Sequence, residues 1–426
     1  MTSTSVNTNL PDSQASCLVL AHPTADEKLT ICKANAESWR GPLSQEAYLD
    51  REKTLFNQSL TLDGGITHWI LVRGDAPEGT RVVLASCETI RKRAVVACAS
   101  AAEDGAAVKD VICHGVASVF TEPCLRGRGY AGRMMQELRT TLQTWHVDRS
   151  VNEGHEVLMS VLFSDIGKEF YSRHGWHPFP SSHVCLPSLP SSLETHLSQL
   201  PPSRPVLTSS IQKLCLIDEK LIRESIRWPL GEQKARVGLI PDIETISWHL
   251  ARQDFVSQHL FGSTPEVNGA KVGEEAGRRA WCIWARSWYS NEGANDADNT
   301  LQILRLVVDD DLGTVSSDDC EGVNAGFKVK MVASLFIAAQ KEAAKWHTST
   351  VQLWNPSPIA VQAAKLVSEL TSSGEKPRTL ESLVIDRESD NITSMLWYGS
   401  HSRYPTLRSI DWTNVDWIAN EKYGWC

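Results

Sequence analysis

At 426 residues the chain exceeds the roughly 250–300 at which a single hydrophobic core stops growing, so two domains are expected. Hydrophobic residues make up 42% and charged residues 22%, as in an ordinary globular protein, and a formal charge of -9 argues against a general binder of nucleic acid or anionic membrane. No apolar run approaches the roughly 20 residues that span a bilayer. The eleven cysteines are odd in number and lack a C-x-x-C pair, which argues against a bound metal and for reduced thiols in a cytoplasmic protein.

Residues 1–16, MTSTSVNTNLPDSQAS, carry no charged-then-apolar leader pattern and read as a polar tail. Cys17–Ala21 is a short strand. Thr24–Trp39 and Ser44–Gln58 read as helices, the second opening on a serine cap with Glu46 in its first turn. Thr67–Arg73, Arg81–Ser86, Arg93–Ala99 and Val111–Phe120 are strand-like. A glycine-rich turn, LRGRGYAG, follows, and then Met134, Leu138, Leu142 and Trp145 recur at helical spacing. Glu156–Phe163 is a further apolar strand, Asp165–Gly175 is helical, and short strands are expected around Trp176 and at His183–Leu186.

Five prolines between Leu186 and Pro205 mark a linker, taken as residues 190–204, within which THLSQL reads as a turn of helix. Eleven of the fifteen tryptophans lie at or beyond Trp228, so the remainder, 205–426, differs in character from 17–189. Its order repeats that of the first half. Helices are expected at Pro205–Ile226 and Ile243–His259, and strands at Arg279–Trp288 and Asn299–Val308. A helix at Val329–Trp346, a strand at Ser349–Trp354 and a helix at Ala360–Leu370 follow, with Ser382–Ile385 and Ser394–Tyr398 last. The acidic insert Asp309–Gly326 stands where a glycine-arginine turn would belong.

A strand, a glycine turn and a helix N-terminus together aim unpaired N–H groups and the positive end of a helix dipole at one point. A pyrophosphate fits there, with Gly127, Gly129 and Gly132 allowing close approach and Arg126, Arg128 and Arg133 adding charge. The spacing Arg126-x-x-Gly129-x-Ala131 resembles the acetyl-CoA signature of the GCN5-related N-acetyltransferases (GNAT). The passage VFTEPCLRGRGYAG is similar to that superfamily's route from its fourth strand into the turn, and EFYSRHGWHPF resembles its later aromatic–tyrosine motif. Ser164 departs from the pattern, which often has Asn seven residues before the tyrosine. SCETIRKRA, SDIGKEFYSRHGWHPFPSSH and the ending NEKYGWC resemble the fungal lysine N6-acetyltransferase family more narrowly.

The resemblance implies an α/β fold: a GNAT mixed sheet with flanking helices, then a degenerate GNAT-like copy that has lost cofactor binding. It implies acetyl-CoA as co-substrate, held by Val119, Thr121, Arg126, Gly127, Arg128, Gly129, Tyr130, Ala131 and Gly132, and a small-molecule amine, lysine-like, as acceptor. Backbone groups at Val119–Thr121 would pair with the pantetheine arm if the sheet splays there. Tyr171 matches the tyrosine that donates a proton to the departing thiolate; its phenol, with a pKa of about 10, is matched to an alkyl thiol. A lysine amine is neutral only about 4 times in 10,000 at pH 7, so a base is needed. Glu122 and His114 are the nearest candidates in sequence and the terminal carboxylate of Cys426 a third; Glu122 also reads as a solvent-facing group and His114 as a hydrogen-bonded strand histidine. Trp281, Trp284 and Trp288 read as core, with an aromatic wall between the domains suited to an alkyl-ammonium chain. Other acceptors (a polyamine, a secondary-metabolite amine, a protein lysine) and a non-catalytic acetyl-CoA binder remain as alternatives.

Overall fold

The computed structural model describes residues 10–98, 107–147, 155–190, 197–227, 234–289, 299–310, 323–372 and 383–426. Parts of the polar tail (1–9), the linker (191–196) and the acidic insert (311–322), together with Trp228 and Ser382, lie outside them. Strand β1 (Leu18–Ala21) leads to Thr24, whose hydroxyl accepts from the Glu27 N–H while the Glu27 carboxylate accepts from the Thr24 N–H. This reciprocal cap satisfies two donors at the start of α1 (Ala25–Trp39). Ser44 caps α2 (Gln45–Phe56) through the Ala47 N–H. Then come β2 (Ile66–Arg73), β3 (Ala85–Cys98), β4 (Ala107–Phe120), α3 (Tyr130–Leu142), β5 (Val157–Ser164), α4 (Glu169–Arg173), β6 (His177–Pro178) and β7 (Ser182–Pro187).

Of the strand expected at 81–86 only Ala85 and Ser86 are extended into a ladder; they open a single strand that continues through the one expected at 93–99. β3 runs unbroken because one edge pairs with β4 along nearly its whole length, while the other pairs first with β2 and then with a strand from the second half. Those ladders carry the strand through the charged run Arg91–Lys92–Arg93, where hydrophobic alternation fails.

The second half contains β8 (Arg204–Leu207), α5 (Ile211–Ser225), β9 (Ala235–Leu239), α6 (Ile243–Phe261), β10 (Val267–Val272), β11 (Arg278–Ser287) and β12 (Thr300–Asp310). It continues with α7 (Val323–Lys345), β13 (Thr350–Trp354), α8 (Pro358–Thr371), β14 (Val384–Asp386), β15 (Ile392–Trp397) and β16 (Val415–Trp417). The helix expected from Pro205 begins later, because 204–207 forms the edge strand of a sheet, where a proline without an N–H is tolerated.

Mixed sheets with flanking helices thus occur twice. One has the order β1-β2-β3-β4-β5-β15-β6, extended by β9 and β16; the other is β14-β7-β13-β12-β11-β10-β8. The sheets exchange strands. β7, from the first half, lies between β13 and β14, and β15, from the second, lies between β5 and β6. One apolar cluster joins Val161 and Met159 of the first sheet to Ile283 and Leu304 of the second, with Ile246 and Leu250 of α6 between. α3 buries Met134, Met135, Leu138 and Leu142 against the first sheet, and α7 buries Val332, Leu335 and Phe336 against the second. Among the described residues no helix is long and apolar enough to cross a membrane.

A buried charge cluster fixes the C-terminal turn to this frame. Arg305 of β12 donates to both Asp218 oxygens at 2.8 Å and pairs with Glu421, whose other oxygen accepts from the Leu306 N–H at 2.8 Å. Removing one partner strands the others without water, which typically costs about 3–5 kcal/mol. Arg305→Met is therefore expected to lower stability by that amount, read as a lower urea midpoint at unchanged m-value.

Candidate functional site

The site starts where two parallel strands part. β4 and β5 are paired only from Ile112 to Gly115, and beyond the Gly115–Val161 pair they diverge. On its other edge β4 is bulged against β3 between Ser86 and Glu88. Ser118, within that bulge, has φ +50°, a conformation costly for a residue other than glycine. Its hydroxyl donates to Glu88 at 3.1 Å.

After Phe120 a 3₁₀ turn (Pro123–Leu125) leads to Gly127 and Gly129, with φ of 77° and 82°. Side chains are strained there, and glycine is not. Gly129 occupies the cap position of α3 and supplies no side-chain acceptor, so the first N–H groups of the helix stay open to an anion. Arg126 donates to the Thr121 carbonyl and its guanidinium lies over Phe120. Arg133 is turned away, toward the carbonyls of Ser13 and Leu18, so of the three arginines read beside the turn it is committed elsewhere. The Tyr130 side chain is likewise structural, donating to the Pro11 carbonyl at 2.7 Å.

A cavity of about 1320 Å³ opens from this splay and reaches the second sheet. Val119, Thr121, Arg126 and Ala131 line it on the turn side; Gln302, Gln352 and Trp354 line it opposite. Gly127, Arg128, Gly129, Tyr130 and Gly132 form the turn behind that wall. The Thr121 hydroxyl is buried without a partner, and with the uncapped helix it fits the amide-rich, phosphate-ended arm of a coenzyme A thioester.

Tyr171 faces the same cavity and is only 8% exposed. Burial first, then the charges of Cys87 and Asp165, pushes its phenol above the ordinary value, so it keeps its proton throughout neutral pH.

The structure does not bring Glu122 or His114 to the cavity wall. Glu122 sits beside the turn, exposed, with the Cys124 thiol as its contact. His114 is fully buried, its ring against the Trp145 carbonyl at 3.3 Å and its pKa pushed down to about 3 by burial and then by His146. Other carboxylates do line the cavity: Glu52 of α2 and Glu88 of β3, together with Asp165, Asp386, Glu388 and Asp390. Burial pushes Glu88 up, but His68 at 3.2 Å, with Ser118 and Lys28, outweighs it and holds the carboxyl below its ordinary range. Glu52 is paired with Arg51 at 2.6 Å, yet burial prevails and raises it. Glu88 lies within SCETIRKRA, one of the stretches carrying the narrower resemblance, and a carboxylate inside a largely apolar strand is a readable signal.

Ser164 caps the turn after β5, donating to the Gly167 carbonyl at 2.7 Å, and is not in the cavity wall. Trp281, Trp284 and Trp288 are buried core, and the cavity's tryptophans are Trp39, Trp248, Trp354 and Trp425. Trp425 and Cys426 reach the cavity because Tyr423 anchors their turn, donating to the Leu239 carbonyl at 2.8 Å.

Against this geometry, the family model described as "LYC1 GNAT-like C-terminal domain" matches residues 183–426. A lysine acetyltransferase of Yarrowia lipolytica is 24% identical over 284 residues, 60% of this chain and 68% of that protein. The uncharacterized protein YGR111W of Saccharomyces cerevisiae is 26% identical over 171 residues, 36% of this chain and 41% of that protein. Among solved structures, a GCN5-related N-acetyltransferase from Kribbella flavida superposes with a TM-score of 0.44 at 16% identity, over 89% of this chain and 69% of that one. Saccharomyces cerevisiae N-myristoyltransferase with bound myristoyl-CoA gives 0.48 at 10% identity, over 92% and 81%. The family model spans more than half of the sequence, and the chain belongs to the LYC1 GNAT-like family, acyltransferases of the GNAT superfamily.

Proposed function

We propose that the protein transfers an acetyl group from acetyl-CoA directly to the side-chain amine of free L-lysine. The observation that carries this reading is the continuous cavity. It joins the open end of α3 and Tyr171 on one side to ionised and aromatic groups of both halves on the other. The Yarrowia relative's name supports lysine as the acceptor.

Bound acetyl-CoA would supply the acetyl group as an activated thioester. Open N–H groups of α3 and the unpartnered Thr121 hydroxyl would hold its phosphates and arm. Backbone N–H groups along the splayed edge of β4 would stabilise negative charge on the carbonyl oxygen under attack. Tyr171 would hold the proton that the leaving sulfur takes as the C–S bond breaks. Glu88, ionised through neutral pH, would take the proton that the amine gives up as its bond to the carbonyl carbon forms.

Glu88→Gln is expected to lower kcat roughly 10²-fold at pH 7. A free amine needs no base, so the gap between variant and wild type should narrow as pH approaches about 10. A gap independent of pH would remove Glu88 as the base. The reading as a whole is tested by CoA release with L-lysine, a polyamine and a lysine-containing peptide. L-Lysine is expected to give a kcat/KM at least tenfold above either other acceptor. Preference for the polyamine or peptide would overturn it.

A further inference from the structure

At the end of the cavity formed by the second sheet stand two cations that form no ion pair with a described residue. Arg387, on the connection between β14 and β15, and Lys422, in the C-terminal turn, are each 7% exposed, and both line the cavity. Their charged ends lie over the Trp354 ring at 4.1 and 4.2 Å, and Lys422 lies over Trp425 at 4.1 Å as well. Arg387 spends one nitrogen on the Ser182 carbonyl at 2.9 Å; its Nε and Nη2 are buried with no partner.

Among the described residues neither cation has a carboxylate within 4.0 Å. The acids nearby are engaged or face outward. Asp165 accepts from the Asn391 N–H, Glu388 pairs with Lys168, Glu421 belongs to Arg305, and Asp386 and Asp390 are exposed. Burial alone pushes Arg387 down to about 10. Burial, Arg252 and Arg387 push Lys422 well below its ordinary value, against Asp165 and Cys426. A buried cation without a partner is costly, and two together are tolerated where a ligand completes them.

Two further polar groups of the same cavity lack partners. The Gln302 Oε1 and His183 Nδ1 atoms are buried and unpaired, and both residues line the cavity. Burial, then Arg387, pushes His183 down to about 4, so its ring is neutral and able to accept. Cations and neutral acceptors in one cavity match the carboxylate and ammonium on the α-carbon of an amino acid.

We propose that Arg387 and Lys422 hold the α-carboxylate of a free amino acid, with Gln302 and His183 receiving its α-ammonium, so that the side chain runs toward the acetyl donor. The inference rests on the acetyl-transfer reading for its direction and adds the residues that recognise the acceptor's head group. Diamines and polyamines lack the carboxylate, and a lysine inside a peptide has it tied up in an amide.

The test is a binding measurement that needs no turnover. L-Norleucine carries the head group on an apolar side chain, and L-norleucinamide differs from it by the lost charge. By calorimetry in the presence of CoA, the wild type is expected to bind the acid at least 30-fold more tightly than the amide. In Arg387→Gln and in Lys422→Met, each shown folded by its melting curve, that preference should shrink at least tenfold. For L-lysine turnover the same variants should raise KM with little change in kcat, the pattern of lost ground-state binding.

Equal binding of acid and amide by the wild type would overturn the proposal, as would an undiminished preference in both variants. Glycyl-L-norleucine binding as tightly as L-norleucine would place a peptide terminus in the subsite and overturn its assignment to a free amino acid. Selective binding of L-norleucine without acetylation of L-lysine would uphold the subsite and remove lysine as acceptor. Acetylation of L-lysine and L-lysinamide alike, without selective binding, would do the reverse.

Discussion

Tyr171→Phe is expected to lower kcat by roughly 10²–10⁴-fold, with little change in KM for acetyl-CoA. The substitution removes one oxygen from a side chain packed in the core under α3, so the ring's contacts remain. What is lost is a donor whose burial in the cavity wall keeps it protonated at neutral pH. A thioester whose thiol has a lower pKa needs less help in leaving, so the loss should be smaller for such a donor. Equal slowing of both donors, or a near wild-type kcat in the folded variant, would leave Tyr171 as a packing residue.

Gly129→Glu is expected to weaken CoA binding by several kcal/mol, because it sets an anion at the mouth of an uncapped helix where a pyrophosphate should lie. Part of the effect would be conformational. Gly129 has φ 82°, and an added Cβ would come within 2.7 Å of the Ser13 hydroxyl oxygen, at the end of a small side chain that can turn away. Gly129→Ala carries the same backbone strain and the same contact without the charge. Calorimetry of CoA with both variants separates the two contributions. A Glu variant that binds no worse than the Ala variant would show that no phosphate sits at this turn.

Local features were legible in the sequence, and features that depend on distant pairing were not. The serine cap of α2, the glycine turn and the apolar face of α3 each lie within one short window, where spacing alone specifies the backbone. Tyr171 could be located because its motif is contiguous. The exchange of β7 and β15 has no local signature, since a six-residue apolar strand reads the same whichever sheet it joins. The same limit applies to the cavity. Glu52, Glu88, Arg387 and Lys422 come from four separated parts of the chain, and only the folded chain brings them to one cavity. Glu122 and His114 are near the turn in sequence but not in the cavity wall. His114 lies where β4 is still paired with β5, before the strands part, and Glu122 is exposed beside the 3₁₀ turn.

The most direct measurement is the fate of the acetyl group. Acetyl-CoA labelled in its acetyl carbon and L-lysine labelled at the side-chain nitrogen are incubated with the protein, and the product is read by NMR. Coupling between the two labels, with one CoA released for each acetyl-lysine formed, is the expected result. An acetyl group on the α-nitrogen, or release of CoA with free acetate alone, would contradict it.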